Sequence, residues 1–183
     1  MRLKIHFSDY FFFFFFCMLA LACRNEASGN KKIFRFNQET GIATLDPAFA
    51  KNQSIMWTVH QLYNTLIETD DQLNMRPSLA TSWEVTADRL TYLFHLRNDV
   101  FFHDDAAFPG NKGRKLVADD VVYSLSRILD KQLASPGSWI FNRKVDSIQP
   151  FKAIDDSTFQ LKLLLPYNPI LGIISMQYCS IVP

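Results

Sequence analysis

The chain has 183 residues, long enough for one ordinary domain with its own core. Hydrophobic residues make up 48% and charged residues 20%, a globular balance that excludes a disordered chain. The formal charge is +1, and the part beyond residue 22 sums to zero. A neutral chain without basic stripes has no electrostatic footprint for nucleic acid, so a nucleic-acid partner is not expected.

Arg2 and Lys4 open the chain, and an apolar run follows from Tyr10 or Phe11 to Cys23, with phenylalanine at every position from 11 to 16. A run of about 13 apolar residues falls short of the roughly 20 that span a bilayer. It fits the apolar region of a secretory signal peptide over residues 1–22. The ending Leu19-Ala20-Leu21-Ala22-Cys23 resembles the lipobox of bacterial lipoproteins. That resemblance implies acylation of the Cys23 thiol and a lipid anchor in the membrane. It departs from the usual box, which has Leu three places before the cysteine and a small residue two before. Ala20-Leu21-Ala22 also reads as an ordinary signal-peptidase site, and an uncleaved anchor is the third reading. Residues 23–31 are polar and read as a tether. Of the other cysteines, Cys17 leaves with the signal peptide and Cys179 remains, which excludes an intrachain disulfide or a multi-cysteine metal site in the mature chain.

Residues 32–37 alternate charged and apolar side chains and predict a strand, and residues 41–47 a loop closed by Asp46-Pro47. Ser54 is the expected cap of a helix reaching Leu66, with Ile55, Met56, Val59, Leu62, Tyr63 and Leu66 on one stripe. Asp70, Asp71 and Asn74 mark turns before Pro77. Residues 83–86 and 91–96 predict two strands joined through Ala87-Asp88-Arg89, with Tyr92, Phe94 and Leu96 on one face of the second. Residues 100–102 suggest a further short strand, and residues 108–115 a surface loop. The clearest helix covers residues 118–130: Asp119 and Asp120 lie in its first turn, and Val121, Val122, Leu125, Ile128 and Leu129 form its apolar face. Ser135-Pro136-Gly137 breaks the chain before Trp139. Residues 158–165 alternate as a half-buried strand, and residues 170–176 form a short apolar helix.

No catalytic motif stands: G-x-S-x-G, H-E-x-x-H, the phosphate loop and C-x-x-C are all absent. His95, His103, Asp104 and Asp105 lack a third strong ligand at defined spacing, so no metal and no cofactor is expected. The paired aspartates at 70/71, 104/105, 119/120 and 155/156 sit at turns or helix starts, where they satisfy backbone donors. The chain is not expected to be an enzyme.

Six stretches in order carry a resemblance: Leu45-Asp46-Pro47, Gln61 to Leu66, Arg76 to Glu84, Leu90 to Arg97, Val100 to Asp104, and Ala118 to Arg127. Together they resemble the extracellular solute-binding proteins of family 5, the peptide- and nickel-binding subunits of ABC importers. Two places depart from the family: Asp105-Ala106 stands where Asp-Gly is common, and Asn64-Thr65 replaces an acidic residue and glycine. The resemblance implies a mixed α/β, type II periplasmic-binding fold whose lobes close on ligand. It assigns residues 32–66 to the opening of the main lobe and 67–183 to the smaller inserted domain, ahead of the second lobe.

The resemblance further implies a monomeric, lipid-anchored receptor in the periplasm or cell envelope. Such a receptor takes peptides, or another small solute such as a nickel complex, to an ABC permease in the membrane. A fragment without ligand binding of its own is the alternative. The ligand residues it implies are Ala48, Phe49, Ala50, Lys51, Asn52 and Trp139, with Trp139 either a wall of the pocket or packed against Phe141 and the helix.

Overall fold

A strand that alternates Tyr92, Phe94 and Leu96 with Leu93 and His95 needs something to cover its apolar face, and a helix does so. The computed structural model describes residues 34–183, and the chain divides into two units, Met1–Asn37 and Gln38–Pro183. In the first, the described residues 34–37 form no strand, and the rings of Phe34 and Phe36 stack with centroids 6.4 Å apart. The strand expected over residues 32–37 is therefore not formed where the chain is described, because alternation alone supplies no partner for its backbone groups.

In the second unit the elements run α1 (Gln53–Leu62), β1 (Ile67–Thr69), β2 (Met75–Pro77), β3 (Ala80–Val85), β4 (Thr91–Leu96), α2 (Ala118–Leu129), β5 (Phe151–Asp155), β6 (Thr158–Lys162) and α3 (Ile170–Ile174). Single 3-10 turns form at Pro47–Phe49, Pro109–Asn111, Ser138–Ile140 and Gln177–Cys179. β1 and β2 pair as a small hairpin, while β3, β4, β6 and β5 form an antiparallel sheet in that order. This is the mixed α/β architecture expected from the sequence.

α2 packs across β5 and β6. Its Val121, Leu125 and Ile128 are buried, as are Phe94, Phe151, Phe159 and Leu161 on the sheet. The ring of Phe159 lies between those of Phe94 and Phe151, at 6.0 and 6.2 Å. Each large apolar side chain buried here contributes about 1.5–3 kcal/mol. The start of α2 is pinned twice. The Asp120 carboxylate accepts from the Val117 amide at 2.9 Å, and the Ala118 amide donates to the Asp156 carbonyl at 2.9 Å in the β5–β6 turn. Asp120 is buried and paired with Arg114, so it does more than complement the helix dipole.

Several boundaries differ from expectation. Asn52, not Ser54, caps α1, its side chain accepting from the Ile55 amide at 3.0 Å. The helix stops at Leu62 because Thr65 and Leu66 pair elsewhere: their carbonyls accept from the amides of Leu79, Ser78 and Ala80. Residues 100–102 make a single bridge, Phe101 to Lys115, rather than a strand. β6 ends at Lys162; Leu163 is buried in an isolated bridge to Val145, and Leu165 is exposed. β1, β2 and β5 were not expected, since strands of three to five residues beside turns and prolines carry too little alternation to stand out.

Candidate functional site

Asp46, Pro47 and the five residues that follow make a turn held from three sides. The Asp46 carboxylate caps the 3-10 turn, accepting from the Ala48 amide at 3.0 Å, and takes both guanidinium arms of Arg127 from the last turn of α2. Burial pushes its pKa up, but the hydrogen bonds from Arg127 and Ala48 outweigh this and hold it below the usual carboxylate range. The third support is Ser135, whose hydroxyl donates to the Ala48 carbonyl at 2.6 Å. The turn also packs against Gln177–Cys179.

The consequences for the expected ligand residues are unequal. Ala48 and Ala50 are buried, and the Asn52 side chain is occupied as the cap of α1. Phe49 is half-buried and Lys51 is exposed. From these residues a ligand has the exposed Lys51 and Asn52 and the half-buried Phe49 within reach, while Ala48 and Ala50 are buried, backbone included.

Trp139 stands on the 3-10 turn that follows Ser135-Pro136-Gly137. It is 56% exposed, whereas Phe141 is wholly buried, so the indole is not part of the core that holds Phe141. The Lys144 ammonium donates to the Trp139 carbonyl at 2.7 Å and lies 5.9 Å from the indole centroid and 5.7 Å from that of Tyr167. Gly137 explains how the turn lies so low. A Cβ there would come within 2.4 Å of the Tyr178 ring, so only glycine lets the backbone rest on it. The Asp46–Arg127 pair, Ser135 and Tyr178 were not singled out in the sequence. Ser135 was visible there only as part of a chain break.

The other titratable clusters are used structurally. Asp104 accepts from Lys112 and the Gly113 amide, Asp105 from the Ala107 amide, and Asp155 from the Ser157 amide. His95 pairs with Glu84 at 3.1 Å. Among the described residues no group of three His, Cys, Asp or Glu is placed to hold a metal ion, and no helix is long and apolar enough to cross a membrane. Cys179 is buried and free, and burial pushes its thiol pKa up. Cys23 and the expected signal peptide and tether lie outside the described residues. An apolar cleft of about 370 Å³ opens between Leu62, Tyr63, Phe101, Phe102 and Phe108; its walls include neither Trp139 nor residues 48–52.

Known proteins share this fold. The fold matches the periplasmic binding protein DppA of Helicobacter pylori, solved with the peptide STSA, at a TM-score of 0.66 and 31% identity over 78% of this chain and 29% of that one. It also matches OppA of Listeria monocytogenes, solved bound to peptide, at a TM-score of 0.71 and 21% identity, over 80% of this chain and 30% of that one. The fold is thus the corresponding part of a type II periplasmic binding protein. The sequence profile described as bacterial extracellular solute-binding proteins, family 5 Middle, matches residues 74–183, and the chain belongs to that family.

Among its curated relatives are the dipeptide-binding protein of Escherichia coli, 37% identical over 66% of this chain, and di/tripeptide-binding protein 2 of Pseudomonas aeruginosa, 30% identical over 90%. The chain spans 24% of the length of the first and 32% of the second.

Proposed function

We propose that this chain belongs to a receptor that captures peptides outside the cytoplasmic membrane and hands them to an ABC permease. The observation that carries the reading is Trp139: a large indole left exposed, yet held on a turn anchored by Lys144 and Tyr178. A fixed aromatic wall suits peptides of varied sequence, since a flat apolar face packs against many different side chains. Peptide-binding relatives support the same substrate class.

In this reading Trp139, Lys51, Phe49 and Asn52 face the ligand, and the buried Ala48 and Ala50 shape the turn that carries them. Residues 32–66 open the main lobe, and residues 67–183 form the smaller domain. The protein acts as a monomer, without cofactor or catalysis, in the periplasm or cell envelope. It is tethered by lipid on Cys23 once residues 1–22 are removed.

Calorimetric titration of the complete gene product with di- to pentapeptides tests the substrate class, and saturable heat is the expected result. A second reading, another small solute, draws on a relative named heme-binding protein A in Haemophilus influenzae, 33% identical over 66% of this chain. Heat with heme or nickel chelates and none with peptides would replace the first reading by the second. Incorporation of labelled fatty acid tests the anchor: Cys23→Ala should abolish it, and unchanged labelling refutes lipid at that position.

A further inference from the structure

Two segments carry the candidate ligand face, and they lie about 90 residues apart in the chain. Ser135 hydrogen-bonds to both. Ser135 is 4% exposed, and its hydroxyl donates to the Ala48 carbonyl at 2.6 Å while accepting from the Gly137 amide at 3.0 Å. Both partners belong to short turns, the 3-10 turn Pro47–Phe49 and the turn that leads into Ser138–Ile140.

We infer that Ser135 is a positioning residue that locks the residue 47–52 turn to the Trp139 turn, so that the two present one surface. This rests on the reading above that these segments face the ligand. A buried hydroxyl that donates to one turn and accepts from the other has no freedom to serve them separately. Its removal leaves the Ala48 carbonyl and the Gly137 amide without that partner in a site water does not reach freely. Ser135 does not touch ligand. It acts through the backbone of Ala48 and Gly137, and through Gly137 on the Tyr178 ring and the indole two residues further on. Arg127 clasps the first turn from Asp46 but makes no hydrogen bond to the second, so it cannot replace this link.

The test uses these 183 residues carrying Trp57→Phe and Trp83→Phe, which leaves Trp139 the sole indole among them. Ser135→Ala is compared with Ser135→Thr, which keeps the hydroxyl, and with Ile128→Val, a core change of ordinary cost that touches neither hydrogen bond of Ser135. Ser135→Ala should shift Trp139 emission and speed amide exchange at Phe49, Ala50 and Lys51 by about tenfold. Ile128→Val should move neither, and Ser135→Thr should fall closer to the parent than Ser135→Ala does. Emission and exchange in Ser135→Ala that match Ile128→Val overturn the inference. Trialanine affinity is read alongside: a roughly tenfold loss in Ser135→Ala supports positioning of the ligand face, and an unchanged value overturns it. If these 183 residues bind no trialanine, emission and exchange alone decide the link, and the peptide reading is decided by the titration of the complete gene product.

Discussion

Arg127, in the last turn of α2, forks onto the carboxylate of Asp46, which lies 81 residues earlier, with Nη1 3.0 Å from Oδ1 and Nη2 on Oδ2. The pair fastens the turn that opens the candidate site to the helix that covers the sheet. It joins the first of the sequence stretches shared with the family to the last of them.

The charge of Asp46 should therefore matter to stability in acid. Its folded-state pKa lies below the ordinary 3.8. The stabilisation is fully present above about pH 4 and is lost as pH falls through the folded-state value. Asp46→Asn should cost about 1–3 kcal/mol at neutral pH. Urea denaturation from pH 7 to pH 2 checks this: the wild-type and variant curves should converge at the acid end. A gap that stays constant with pH would exclude the charge as the cause.

Asp70 holds the β1–β2 hairpin from a half-buried position. Its hydrogen bond from Arg76, then that from the Asn74 amide, bring its pKa down to about 2. The hairpin should keep its amide protection as pH falls to about 4 and lose it progressively towards pH 2. Carboxyl NMR titration reads the value directly, and a midpoint near 3.8 would contradict the bonding described.

Gly113 lets two backbones meet. A Cβ at this position would lie 1.8 Å from the Phe102 carbonyl oxygen, which is backbone and has little room to yield. Gly113→Ala should cost about 3 kcal/mol or more and detach residues 108–115 from Phe102. Gly41→Ala, where a Cβ would meet nothing, should change stability by less than about 1 kcal/mol in the same denaturation experiment.

Phe159 and Leu165 test where β6 stops. Both lie on the alternating face expected to be buried, yet Phe159 is wholly buried and Leu165 is 73% exposed. Phe159→Ala should cost about 3–5 kcal/mol, whereas Leu165→Ala should stay within about 0.5 kcal/mol. Equal losses would mean that the strand continues to residue 165.

The β3–β4 hairpin and α2 were legible because each carries a long, regular alternation whose buried face is also its apolar face. The ends of α1 and β6 were not. Leu66 continues the helical spacing of Ile55 and Val59, but its backbone serves Ser78 and Ala80, and no periodicity reports a hydrogen bond made twelve residues away. For the same reason the sequence pointed to Trp139 and residues 48–52 but left open whether the indole was wall or core. Exposure depends on where Phe141 and Tyr178 go, and those positions are set by the sheet and its helix.

From sequence alone came the absence of known catalytic motifs and six stretches in family order. The resemblance they carry implied the mixed α/β fold and the expectation that residues 48–52 and Trp139 face ligand. Tertiary structure alone decided that Asp46 meets Arg127, that Ser135 bridges Ala48 and Gly137, and that Trp139 faces outward. Those contacts join residues that are distant in sequence, and only packing of the sheet against α2 brings them within hydrogen-bonding range.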